Sequence, residues 1–152
     1  MMGTVTYPDP EVERFIGEHF VAVRFNVVED PDVMDRFNAS WTPTIILEDA
    51  RGREHRRSIG YLEPKRFLGE LALGWLKDAV DRRDWAAAQE RLPATKRQTK
   101  GDEAREPETL YWEGMIAYEA STDIKKLATG WKPLLDGFPD SEWAKRAEYV
   151  RA

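Results

Sequence analysis

Thiol chemistry is closed to this chain, because none of its 152 residues is cysteine. Disulfides, thiolate metal sites and a cysteine nucleophile are therefore excluded, and with only His19 and His55 a histidine-rich metal site is excluded as well. Neither histidine has a partner at ligand spacing, and both read as surface or half-buried residues. The acids Asp9, Glu11, Glu13, Glu29, Asp30 and Asp32 suggest acid–base pairs at first sight. Most of them stand at helix caps or in first turns, where negative charge stabilises the helix end. No catalytic pair emerges, and neither a cofactor nor a metal is expected. Arg51, Arg53, Arg56 and Arg57 suit either an anion site or the guarding of an edge strand against aggregation, and the guard is the commoner use. The aromatic series Trp75, Trp85, Tyr111, Trp112, Tyr118, Trp131 and Trp143 reads as helix-packing material, with about a third of it left for an exposed groove. That leaves Trp41, Thr42 and Pro43, directly before the apolar run Thr44-Ile45-Ile46-Leu47. A proline is tolerated at the first residue of a strand, where its missing N–H need not break a ladder.

The composition suits one globular domain or two small ones. Net charge is −5 with acids and bases interspersed, so neither nucleic acid nor a membrane surface is called for. No apolar run has the length of a membrane span, and "MMGTVTYPDP" lacks the layout of a signal peptide. A cytoplasmic location is expected.

The elements follow from period and punctuation. Asp9-Pro10 caps a helix over about residues 10–19, carrying Val12, Phe15 and Ile16. Val21, Val23, Phe25 and Val27 alternate with Ala22, Arg24, Asn26 and Val28, which predicts a strand. Asp30-Pro31 repeats the cap for a brief helix ending near Asn38. Thr44–Glu48 and Arg53–Ile59 flank Asp49-Ala50-Arg51-Gly52 and read as an antiparallel hairpin. From Pro64 an apolar stripe through Leu68, Leu71, Trp75, Leu76 and Val80 predicts a long amphipathic helix. Asp84 caps another, Trp85–Leu92, which Pro93 closes, and the polar stretch Ala94–Glu106 reads as a loop or flexible link. Helices beginning at Pro107, Asp123 and Ser141 follow, the last carrying Trp143, Ala144, Ala147 and Val150, and Pro133 should kink the middle one.

The segment "RFNASWTPTIILEDARGREHRRSIGYLEPKRFLGEL" resembles the second half of the thioredoxin fold, with its short helix, Thr-Pro, apolar strand, turn, basic strand, Gly-Tyr and closing helix. The resemblance implies that the Thr42–Pro43 bond is cis and that Trp41, Thr42 and Pro43 form the loop whose backbone pairs with an extended substrate. The Cys-x-x-Cys pair that such a loop faces is absent. In relatives with a stretch like "TYPDPEV" that pair lies just upstream, so it would fall before Met1. "RRDWAAAQERL" and the run from Leu110 to Ala147 are similar to tetratricopeptide helix pairs, and a thioredoxin-like domain with such a tail is a recognisable bacterial arrangement.

The fold expected is thus α+β followed by all-α. Residues 1–74 form a truncated thioredoxin-like domain (helix, strand, helix, β-hairpin, helix), and residues 75–152 an all-helical tetratricopeptide-like domain. The central strand of a complete sheet, with its buried side chains, contributes about 6–12 kcal/mol. Without it, the chain is expected to pair its two inner strands, to borrow a strand from a second copy, or to belong to a longer protein that starts upstream, and an unpaired apolar edge favours self-association. The expected function is a redox-inactive, thioredoxin-like protein-interaction module that takes a polypeptide segment and is able to form a homodimer through exposed sheet edges. The alternative is a thiol–disulfide oxidoreductase, active in cell redox homeostasis, whose Cys-x-x-Cys lies upstream of Met1.

Overall fold

The computed structural model describes the backbone of residues 1–151 and the side chains of residues 1–148, so Val150 lies outside the described side chains. The chain is mixed α/β and mostly helical, with a single two-stranded antiparallel sheet among the described residues. It divides into two compact units, Met1–Leu71 and Ala72–Ala152.

The first unit opens with a π-helical turn, Met2–Thr6, that the sequence pattern does not announce. Met2 is buried, and the Thr6 hydroxyl donates to the Leu62 carbonyl at 2.6 Å. Helix α1, Pro10–His19, begins where Asp9 accepts from the backbone N–H groups of Glu11 and Val12. Its buried face carries Val12 and Phe15. The strand expected over Val21–Val28 does not form. A strand needs a neighbour to bond, and among the described residues this segment pairs with none, so it runs irregularly with Val21, Val23 and Val28 exposed at 93, 71 and 83 %. Helix α2, Val33–Arg36, is a single turn that starts later than the Asp30-Pro31 pattern suggests. Asp30 does not cap it; its carboxylate takes the Arg36 guanidinium at 3.0 Å. Asn38, in the left-handed region at φ 47°, ends the segment.

Strands β1, Thr44–Glu48, and β2, Glu54–Ile59, form the expected hairpin. Asp49 builds its turn by accepting from the N–H groups of Arg51 and Arg53 through one carboxylate oxygen. Gly52 closes the turn at φ 75°, a conformation that side chains resist. Helix α3, Pro64–Asp81, follows, and the division between the two units falls within it.

The second unit comprises the rest of α3 and four further helices: α4 (Trp85–Thr99), α5 (Arg105–Ser121), α6 (Ile124–Gly137) and α7 (Glu142–Arg151). Asp84, Asp123 and Ser141 accept hydrogen bonds at the starts of α4, α6 and α7 as the sequence implies. The loop expected over Ala94–Glu106 is mostly helix. Helix α4 passes through Pro93 to Thr99, and α5 begins two residues before Pro107. The reason is chemical: the buried positions of this stretch are threonines. Thr95 and Thr99 are fully buried, and their hydroxyls donate to the carbonyls of Arg91 and Thr95 one turn back. Thr99 also meets Thr109 of α5 at 2.9 Å. Helix α6 likewise continues through Pro133 to Gly137.

Two apolar clusters fill this unit. Leu76, Ala79, Val80, Ala88 and Ile116 make one, and Leu110, Leu127, Trp131, Leu134, Ala144 and Ala147 make the other. Trp131 is completely buried, stacks on Tyr111 at 5.3 Å and donates its indole N–H to the Tyr111 carbonyl at 2.9 Å. None of the other aromatics in the series from Trp75 to Trp143 is exposed; each is half-buried, so the groove allotted a third of them is not found.

Candidate functional site: the Trp41 loop and the open edge of β1

Trp41 is 66 % exposed at the entrance to β1, Thr42 is exposed, and Pro43 is half-buried. The Thr42–Pro43 peptide is cis, the state implied by the thioredoxin resemblance. Two hydrogen bonds hold the loop. The Thr44 hydroxyl donates to the Trp41 carbonyl at 2.6 Å, and Gly60 N–H donates to the Pro43 carbonyl at 2.8 Å. Ile59 and Tyr61 are exposed at the same end of the hairpin, since Ile59 pairs with Thr44 in the register.

The parity of the ladder decides which backbone groups remain available. Residues of an antiparallel pair alternate between pairs that exchange hydrogen bonds and pairs that do not. The bond between Gly60 and Pro43 fixes the phase, so Ile45–Ser58 and Leu47–Arg56 are the bonded pairs. The N–H and C=O groups of Thr44 and Ile46 therefore point away from β2. Among the described residues no other strand meets them. The opposite edge is different in character: Arg57, on β2, binds Glu54 at 2.7 Å and donates to the carbonyls of Phe37 and Asn38.

One face of the hairpin is tied to α3. Arg56 donates to Glu70 through Nε and, at 3.2 Å, through Nη2, and the Ser58 hydroxyl reaches the same carboxylate at 2.8 Å. Arg56 thus serves neither as an edge guard nor as an anion site, because its charge is spent on a buried glutamate. Arg57 is likewise committed, which leaves Arg51 and Arg53 as the exposed basic residues of the four. Glu70 was not singled out from the sequence, although its place between Phe67 and Leu71 puts it within the apolar stripe of α3. An acid on a buried stripe signals a buried cation.

His55 has a buried side chain and lies 3.3 Å from Asp49 Oδ2. The backbone N–H of Arg53 is the main influence holding the Asp49 carboxyl below its ordinary value, with Arg51 and His55 adding to it against a smaller effect of burial. This pair resembles part of an acid–base relay, but its carboxylate is occupied in folding the turn. His19 packs edge-on against Phe15 at 4.6 Å.

No family model, characterised protein or solved structure matches this chain. What the site offers is physical: an exposed indole, the outward backbone donors and acceptors of Thr44 and Ile46, and no thiol, since the chain has no cysteine. Among the described residues no helix is long and apolar enough to cross a membrane.

Proposed function

We propose that this chain is a thioredoxin-like, redox-inactive protein-interaction module with a tetratricopeptide-like helical tail. Its Trp41-Thr42-Pro43 loop and the open edge of β1 take an extended polypeptide segment. The observation that carries this reading is the outward row of Thr44 and Ile46 backbone groups beginning beside the exposed Trp41. Strand addition supplies affinity through such main-chain groups, and an exposed tryptophan supplies apolar area at small entropic cost. The order α1, α2, Thr-Pro, hairpin, α3 supports the thioredoxin-like part of the reading. Without a thiolate, disulfide exchange has no nucleophile, so the chain by itself binds and releases its partner unchanged.

The test uses reduced, carboxymethylated α-lactalbumin as an unfolded polypeptide. Trp41→Ala should weaken its binding by more than about tenfold, as loss of a central tryptophan does at interfaces. Ile124→Ala, which removes an exposed side chain of the second unit, should leave binding unchanged. Binding indifferent to Trp41→Ala, or no binding at all, contradicts the reading.

A further inference from the structure

The first unit contains both halves of a strand pair that it does not make. One half is the open edge of β1. The other is Val21–Val28, which keeps strand-like alternation yet bonds to no strand among the described residues. Apart from Ile124, the large hydrophobic side chains exposed among the described residues all belong to this unit, and Val21, Val23, Phe25 and Val28 are among them. Contiguous exposed apolar surface marks an interaction site, and an unpaired edge is a template for another strand.

We propose that the occupant is a second copy of this chain, with Val21–Val28 of each copy adding antiparallel to the β1 edge of the other. The proposal rests on the same open edge as the reading above. Charge selects the register. Arg24 and Glu48 are both exposed; Glu48 acts on Arg57 and Arg24 on Tyr7 through charge alone, and no oppositely charged side chain lies within salt-bridge distance of either among the described residues. Placing Arg24 of one copy opposite Glu48 of the other sets Asn26 against Ile46 and Val28 against Thr44, the two β1 residues whose backbone groups point outward. The same register sets Phe25 beside Leu47 and Val27 beside Ile45. Those two β1 residues pair with Arg56 and Ser58, both bonded to Glu70, so they lie on the face toward α3. The added strand thus continues the inner face with apolar side chains and leaves Arg24 and Asn26 on the outer one. A two-fold axis makes the contact twice, because each copy gives a segment and an edge.

Sedimentation equilibrium of the full chain, without any added polypeptide, tests this. The wild type should show a concentration-dependent dimer. Phe25→Lys should weaken it by at least about tenfold, because it sets a charge where apolar area is buried. Arg24→Glu should weaken it by about fivefold, and Arg24→Glu with Glu48→Arg should restore it, since the reversed pair again faces opposite charge. Arg24 and Glu48 are exposed, so these changes test association and not folding. A mixture of Arg24→Cys and Glu48→Cys chains, which carry no other thiol, should cross-link on oxidation. A mixture of Ile124→Cys and Glu48→Cys chains should not. A chain monomeric at all concentrations overturns the proposal and leaves the edge to a foreign segment. A dimer indifferent to Phe25→Lys, or one that the double reversal fails to restore, also overturns it. Binding of carboxymethylated α-lactalbumin is scored separately, so the loss of one reading is distinguishable from the loss of the other.

Discussion

Gly130 and Gly114 bring α6 and α5 into backbone contact: a Cβ added to Gly130 would lie 2.8 Å from the Gly114 Cα. The complementary substitution is equally blocked, since a Cβ on Gly114 would lie 2.6 Å from Trp131 Nε1. The indole cannot retreat without losing its bond to the Tyr111 carbonyl. Gly130→Ala and Gly114→Ala should each destabilise the second unit by about 1–3 kcal/mol, the usual cost of overpacking. Chemical unfolding followed by tryptophan fluorescence checks this, and an unchanged midpoint for either variant would deny the close approach.

Glu70 is the counter-charge of Arg56 and is itself buried. Removing one member of a buried pair leaves the other unpaired, at about 3–5 kcal/mol. Glu70→Ala should therefore unfold or markedly loosen the first unit, as read by amide exchange in β2. Arg56→Met combined with Glu70→Leu should recover most of the loss, because two apolar side chains leave no orphaned charge.

Acid should weaken the second unit. Burial alone would raise the carboxyls of Asp78 and Asp102, but hydrogen bonds outweigh it. Arg82 and Arg91 hold Asp78 below its ordinary value, and the Ala104 N–H together with Arg105 does so for Asp102. A depressed folded value means that the unfolded chain takes up protons first as pH falls. The stabilisation is complete above the ordinary aspartate value, about 3.9, and is lost from there down through the depressed folded values. Asp102→Asn should lower stability at neutral pH and flatten part of the acid limb. A wild-type unfolding midpoint unchanged across that acid range would contradict the assignment.

The hairpin and most helix starts were legible because their punctuation is local: Asp49 and Gly52 write the turn, and Asp9, Asp84 and Asp123 write caps. Val21–Val28 misled because alternation reports a capacity to pair, while a strand exists only where a partner is present. Ala94–Glu106 misled for the opposite reason. Its buried positions are Thr95 and Thr99, whose polarity hides a helical face and whose hydroxyls are satisfied within the helix. At the site, Trp41, Thr42 and Pro43 were visible as a loop before a strand. The availability of Thr44 and Ile46 was not, since it depends on ladder phase and on Val21–Val28 forming no strand among the described residues. Glu70 and Arg56 were legible separately but not as a pair, because nothing local joins β2 to α3.

Amide hydrogen exchange across β1 tests the central claim most directly, and the Phe25→Lys chain is used so that the proposed pairing of copies should not cover the edge. The amides of Ile45 and Leu47 lie in the ladder with β2 and should exchange slowly, whereas those of Thr44 and Ile46 should exchange fast. On adding reduced, carboxymethylated α-lactalbumin, Thr44 and Ile46 should become protected while Ile45 and Leu47 stay as they were. Polypeptide that binds yet leaves Thr44 and Ile46 exchanging freely would contradict strand addition at this edge.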